Sequence, residues 1–315
     1  MSAQRPSGQQ LLVVIDPAAR AVDGESVRIA KDVLCAGASS VKIALPDSAE
    51  EVARVLAHRG RRRPVVLGDD RSLLRAVRAL HRERALGEAP LALVPIGPHS
   101  SLARALGVPG QVLPAARAVL DGTDRELDLL VDDSGGIVLG SLRISSDGLG
   151  PSAHWWSANR EAHRDAERGD APRGWWRPTG GWTARSLVRT LNMPAPSHTH
   201  GPGHGHGHAP RQRLRIEADG VVLVDLDHPV HEVSFRTVDP GLIEVRVHHP
   251  DSADPLCVRA ATVTVSGRDF RYRADSAVAG PVRTRTWTVQ PGAWRLTVPR
   301  VGGGGPGGAV TGVTR

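Results

Sequence analysis

The chain has 315 residues, 40% of them hydrophobic and only 3% aromatic, with a formal net charge of +7. That length is enough for two domains with cores of their own, and the apolar content excludes an intrinsically disordered chain. The two cysteines, Cys35 and Cys257, offer neither a disulfide framework nor metal-ligand spacing, and no run of about 18 apolar residues exists for a membrane span.

Leu11–Ile15 is a continuous apolar run, expected as a buried parallel strand that ends in the turn dipeptide Asp16-Pro17. A helix is expected over Glu25–Cys35 and a second strand over Val41–Leu45. Asp47 or Ser48 then caps a helix that runs to about His58, with Glu50 and Glu51 suited to its first turn. Pro64–Leu67 reads as a third strand. Ser72–Arg84 reads as a helix with Leu73, Leu74, Val77 and Leu80 on one face. Leu91–Ile96 is the fourth strand, followed by helices near Ser101–Leu106 and Pro114–Leu120. Strand alternating with helix argues for a parallel α/β sheet. With so few aromatics, Leu, Val, Ile and Ala must fill the cores, and both cysteines, lying in apolar segments, are expected there too.

The pattern changes near Arg125. Strands are expected at Glu126–Val131, Gly136–Ile144, Arg213–Ala218, Val221–Asp225, Val230–Thr237, Leu242–His248, Ala261–Ser266, Phe270–Ala274, Arg283–Val289 and Trp294–Val298. Many alternate apolar and polar residues, as half-buried antiparallel strands do, so a β-sandwich-like second domain is expected. The domains read as 10–125 (α/β) and 126–300 (β), the latter interrupted by a Trp-rich insertion at 148–193 and a His-rich linker at 194–210. Residues 301–315 read as a flexible glycine-rich tail.

Two stretches carry chemistry. In Val65–Ser72 and in Leu91–Arg104 an apolar strand runs through a glycine loop into a helix, which aims backbone N–H groups at an anion. Taken alone, Gly68–Ser72 is also an ordinary strand-to-helix turn with Asp70 or Ser72 as the N-cap. His198, His200, His204, His206 and His208 alternate largely with glycine and are candidate ligands for Zn²⁺ or Ni²⁺, against a plain polar linker. Trp155, Trp156, Trp175, Trp176 and Trp182 sit among arginines, a mixture suited to a membrane interface or to packing of the indoles on the β domain. The positive charge is spread along the chain and comes almost wholly from arginine; no nucleic-acid motif accompanies it.

These features together resemble the diacylglycerol kinase catalytic domain family of bacterial lipid kinases. Asp16-Pro17 stands where that family keeps Asn-Pro. Gly68, Asp69, Asp70, Arg71 and Ser72 align with its Gly-Gly-Asp-Gly-Thr nucleotide loop. Pro95, Gly97, Ala103 and Arg104 match its Pro-x-Gly-Thr-Gly-Asn-Asp-x-Ala-Arg loop. Leu127-Asp128-Leu129 resembles its Asp-Leu strand, and Asp275-Ser276-Ala277 stands at its Asp-Gly-Glu turn. The resemblance implies an N-terminal parallel α/β domain followed by a β-sandwich domain. It implies ATP and Mg²⁺ as cofactors, with Asp16, Gly68, Asp70, Ser72, Gly97 and Arg104 as nucleotide-site residues. It also implies Asp128 as a metal residue and Asp275 as the general base toward a lipid hydroxyl.

The family pattern is broken at the loop. Asp69 and Arg71 replace glycines, and Ala277 replaces the glutamate. A carboxylate about 4 Å from a phosphate repels it by about 4 kcal/mol in a partly screened site. Arg71 offsets that charge but brings a Cβ where the loop wants none. Pro98 removes an N–H from the second loop. The expected function is therefore a lipid kinase-like protein with reduced or lost phosphoryl transfer, the alternative being a non-catalytic lipid-, nucleotide- or partner-binding module. The expected partners are a lipid substrate or an anionic membrane surface, not nucleic acid, and a homodimer is compatible with this reading. The expected location is cytoplasmic, with peripheral attachment at the inner face of the membrane.

Overall fold

A computed structural model describes residues 7–145, 211–238 and 240–300. The Trp-rich insertion, the His-rich tract and the tail lie outside the described residues. The chain divides into two compact units, 1–127 with 292–315, and 128–291.

The first unit is a parallel α/β layer. Its strands are β1 (Ser7–Ile15), β2 (Ala38–Ala44), β3 (Arg63–Gly68) and β4 (Ala92–Pro95), in the spatial order β2-β1-β3-β4. Between them run α1 (Pro17–Val22), α2 (Gly24–Gly37), α3 (Ala49–Ala57) and α4 (Asp70–Arg82); α5 (Ser101–Ala105) and α6 (Val112–Asp121) follow β4. Leu11–Ile15, Val65–Leu67 and Leu91–Val94 are buried throughout, because strands covered by helices on both faces have no polar side to show. On α4 the residues Leu73, Leu74, Val77 and Leu80 are all buried, as their spacing requires. Ser48, one of the two expected caps, starts α3: its hydroxyl accepts from Glu51 N at 3.1 Å, while Glu51 reaches back to Asp47 N at 2.8 Å.

The order β2-β1-β3-β4 matters for function. The chain leaves β1 toward one side of the sheet and leaves β3 toward the other. The carboxyl ends of β1 and β3 therefore flank a topological switch point, where open α/β sheets open a crevice for ligands.

The second unit is antiparallel. Its strands are β5 (Thr123–Asp132, entering from the first unit), β6 (Ile137–Val138), β7 (Ser141–Ser145), β8 (Leu214–Ala218), β9 (Val221–Val224), β10 (Glu232–Val238), β11 (Leu242–His248), β12 (Leu256–Ala260), β13 (Thr262–Ala274) and β14 (Ala277–Val298). They form one ten-stranded sheet, with β8 on β13 and β9 on β8 outside its main path. Alternate residues of β7, β8, β10, β11, β13 and β14 meet in a single apolar cluster, so the sheet folds over its own core. Aromatics are scarce, yet three of them anchor that core. Trp287 lies edge-on to Phe235 (5.4 Å between ring centres) and to Tyr272 (5.2 Å).

Several expectations are overturned. The pairs Ala261–Ser266 with Phe270–Ala274, and Arg283–Val289 with Trp294–Val298, are not four strands but two long ones, β13 and β14. Between Ser266 and Phe270 a register shift marks a bulge rather than a turn, and β14 runs on through residues 290–293. Periodicity does not signal β12 or α1, which are too short, at five and six residues, to show a period. Both cysteines are exposed, not core. On α2 the buried residues are Val27, Ala30 and Leu34, and Cys35 lies a further 100° round the helix, off that stripe. On β12 Val258 packs toward the core, so its neighbour Cys257 points the other way. Cys35→Ser and Cys257→Ser are accordingly expected to change unfolding free energy by less than about 0.5 kcal/mol, measurable by urea titration.

Candidate functional site

At the switch point the carboxyl end of β1 presents Asp16. Its Oδ1 accepts from Ala18 N (2.7 Å), capping α1. Its Oδ2 accepts from Ser72 Oγ (2.7 Å) and forms an ion pair with Arg75. Gly68 closes β3 beside it. A Cβ there would fall 2.5 Å from Ser72 Oγ and 3.0 Å from Asp16 Cβ, so only glycine lets the β3–α4 corner approach β1 this closely.

Asp69 is the N-cap of α4, in place of the expected Asp70 or Ser72. Its Oδ1 accepts from Arg71 N (3.0 Å), Ser72 N (3.2 Å) and Ser72 Oγ (3.2 Å). The signal is present in the sequence: an aspartate directly before a helix with a strong apolar stripe is a preferred N-cap. The consequence is chemical. The first amides of α4, which would donate to an anion in the loop, donate to this carboxylate instead.

Asp70 turns inward, almost fully buried. Its carboxylate accepts from Leu102 N (2.9 Å), Ala103 N (2.9 Å) and Ser101 Oγ (3.2 Å), and its own N–H donates to His99 C=O (2.7 Å). Burial pushes its carboxyl above the ordinary aspartate range; the amides of Ala103 and Leu102 and the Ser101 hydroxyl pull the other way, and the neighbouring Asp69 adds to the rise. Asp70 thus staples the first glycine loop to the second. Gly97, in the second loop, has φ +120°, and its Cβ position lies 3.4 Å from Asp69 Cβ. Arg104 sits in the last turn of α5. Its stem runs beside Gly110, and its buried Nε has no hydrogen-bond partner among the described residues.

The structure therefore brings Asp16, Gly68, Asp70, Ser72 and Gly97 together and adds three residues to which the sequence alone assigns no such roles: Asp69, Arg75 and Ser101. Arg75 lies 59 positions from Asp16, and nothing local in the sequence announces that pair.

In the second unit, Asp275 occupies the β13–β14 turn with φ 51°, a left-handed conformation that aspartate tolerates better than most residues. Its carboxylate accepts from three consecutive amides, Leu139 N (2.9 Å), Gly140 N (2.7 Å) and Ser141 N (3.1 Å), and its N–H donates to Ser141 C=O (2.8 Å). It clamps the β6–β7 link to the β13–β14 turn. Asp128 is engaged elsewhere in that unit, accepting from Gly241 N at 2.8 Å. No group of three or more metal-ligating side chains gathers among the described residues. His198, His200, His204, His206 and His208, expected as zinc or nickel ligands, lie outside the described residues, as do the five tryptophans of the insertion. No described helix is long and apolar enough to cross a membrane.

A family model for the diacylglycerol kinase catalytic domain matches residues 10–131. Among curated proteins, a "Probable lipid kinase YegS-like" of Pseudomonas aeruginosa (strain UCBPP-PA14) is 33% identical over 129 residues, which are 41% of this chain and 33% of the relative. Its counterpart in strain PAO1 gives the same figures. The chain thus spans about a third of the length of the curated relatives it matches. Among solved structures, "A putative diacylglycerol kinase from Bacillus anthracis str. Sterne" superposes with a TM-score of 0.62 at 16% identity, covering 93% of this chain and 98% of that one. A further diacylglycerol kinase structure from the same organism gives a TM-score of 0.57 at 11% identity, covering 94% and 99%. At those identities the likeness is one of fold, and it extends over both units. The 10–131 match, the 33% identity and the loop residues held at the switch point agree: residues 10–131 of this chain are similar to the diacylglycerol kinase catalytic domain.

Proposed function

We propose that this protein is a lipid kinase-like binding module in which phosphoryl transfer is lost or strongly reduced. One observation carries the reading: Asp69 Oδ1 takes the amides of Arg71 and Ser72, the donors that a phosphate would need at the head of α4. The residues do not fit ATP and Mg²⁺. Asp16 is engaged by Ser72 and Arg75, Asp70 by the second loop, and Asp69 adds a negative charge where polyphosphate charge would collect. Asp16 ties β1 to α4, Asp70 ties the two loops together and Asp69 caps α4 instead. The family implies a lipid ligand, and the net charge of +7 favours an anionic membrane surface at the cytoplasmic face.

Assaying the full chain with ATP, Mg²⁺ and diacylglycerol vesicles tests this directly. The expected result is no phosphorylated lipid above a protein-free control and no thermal shift with millimolar ATP or ADP. The double variant Asp69→Gly/Arg71→Gly is expected to gain a nucleotide-dependent thermal shift, because it frees the α4 amides and removes the opposing carboxylate. Glycine remains an acceptable N-cap, so the variant should lose only a few tenths of a kcal/mol from the cap itself. Lipid phosphorylation by the unaltered protein would overturn the proposal.

A further inference from the structure

The arginines are spread along the sequence, but α4 gathers four of them. Arg71, Arg75, Arg78 and Arg82 follow one another at helical spacing. At about 100° per residue they fall within an arc of about 60° and form a straight stripe about 17 Å long. Arg71 and Arg82 are exposed, Arg75 and Arg78 partly so, and all four point away from the buried face of Leu73, Leu74, Val77 and Leu80. No aspartate or glutamate of α4 lies in that arc. Like charges at these spacings repel one another. Arg71 also sits in the first turn, where the helix dipole disfavours a cation. Among the described residues only Arg75 of the four has an ion pair, with Asp16. The adjoining α3 adds Arg54, which is exposed, and Glu50. The Glu50 carboxyl is held below the ordinary glutamate range by its own amide and the Ser48 hydroxyl, with Arg54 and Arg82 adding to the effect. Glu51 is turned back onto Asp47 N.

We propose that the arginine stripe of α4 docks this protein on the phosphates of an anionic bilayer surface. The inference rests on the membrane-surface reading above and adds which face of the molecule meets that surface. Charge complementarity carries it. A straight row of guanidinium groups on an exposed helix face matches a plane of phosphates, and each arginine can give a phosphate two parallel hydrogen bonds. An anionic surface also relieves the repulsion along α4 and supplies the counter-charge that the fold gives only to Arg75. A nucleic acid is the poorer match, because α4 carries no aromatic side chain on which a base could stack and no nucleic-acid motif accompanies it. Position agrees with a lipid role. The stripe begins at the β3–α4 corner, and its second arginine holds Asp16 at the carboxyl end of β1. Docking along α4 therefore sets the crevice at the ends of β1 and β3 beside the lipid headgroups.

Co-sedimentation of the full chain with vesicles tests this, using phosphatidylcholine alone and phosphatidylcholine with about one third phosphatidylglycerol. The expected result is binding to the anionic vesicles only, abolished at about 1 M salt, where charges are screened beyond about 3 Å. Arg78→Gln/Arg82→Gln is expected to weaken that binding about thirtyfold, since each arginine near such a surface contributes about fivefold. Arg78→Lys/Arg82→Lys keeps the charge and should retain most of the binding. Arg268→Gln/Arg283→Gln, exposed in the second unit, lowers the net charge by the same amount and is expected to leave binding near the parent value. Melting temperatures of all three variants should stay within about 2 °C of the parent, which separates docking from folding. Equal weakening by the two glutamine variants, or none by Arg78→Gln/Arg82→Gln, overturns the stripe and leaves the anionic membrane as the partner. Absence of binding to anionic vesicles overturns the stripe and that partner together, while the phosphorylation assay above still decides on catalysis. Tighter binding to a DNA duplex than to vesicles, lost in Arg78→Gln/Arg82→Gln, also overturns the proposal.

Discussion

Asp70→Ala is expected to lower the unfolding free energy by about 3 kcal/mol, read from the midpoint of a urea titration of the full chain. The side chain is almost fully buried and serves two backbone amides and a hydroxyl across the interval between the two glycine loops. Alanine would leave Leu102 N and Ala103 N buried without acceptors, and unmet buried donors cost more than the net worth of the bonds themselves. The pH dependence gives a second readout. The folded-state carboxyl of Asp70 titrates above the unfolded value of 3.8 because burial disfavours its charge. Between those two values the folded protein holds a proton that the unfolded chain has released. Stability from this group is therefore fully present below the unfolded value and declines as pH rises through the folded one. The deficit of Asp70→Ala relative to the parent protein should accordingly be largest at the acid end and shrink on moving upward through that window. A deficit independent of pH would contradict the upward shift of this carboxyl.

Asp275→Ala should also destabilise the protein, by about 2–3 kcal/mol, because three amides lose a charged acceptor at once. Asp275→Gly should recover only part of that loss, since glycine suits the left-handed φ of 51° but restores none of the three bonds. The size of the effect separates two roles. A general base that serves only chemistry leaves stability near the parent value when removed, and often raises it; a clamp between the β6–β7 link and the β13–β14 turn does not. Hydrogen exchange should localise the change: Leu139, Gly140 and Ser141 amides are expected to lose protection in Asp275→Ala, while amides of β10 and β11 keep theirs relative to global unfolding.

The loop readings show where local sequence suffices. Residues 65–80 announce a buried strand, a tight corner and an amphipathic helix, because each of those depends on spacing within a few positions. Gly68 is legible as a loop glycine, but its necessity is not, since the atoms it must avoid belong to Ser72 and to Asp16 on another strand. Asp69 is visible as an intruding charge in a glycine loop. Its role as the α4 cap depends on which of two adjacent aspartates faces the helix, and burial decides that: Asp70 is drawn under α5, leaving Asp69 at the helix start.

The cysteines and the long strands escape a local reading for a related reason. Apolar neighbours in sequence do not say which face of an element points inward, so Cys35 and Cys257 read as core residues and yet lie at the surface. The breaks expected within β13 and β14 reflect local turn residues, whereas both strands run straight through them, β13 with a register shift between Ser266 and Phe270. What the sequence alone determined was the alternation of elements, the parallel and antiparallel halves and the loops that mark the family, all properties written in periods of a few residues. Only the tertiary structure decided which carboxylate meets which amide. Asp16 with Ser72 and Arg75, Asp70 with Leu102 and Ala103, and Asp275 with Leu139 to Ser141 are contacts across 32 to 136 positions, set by how strands and helices pack and not by any local pattern.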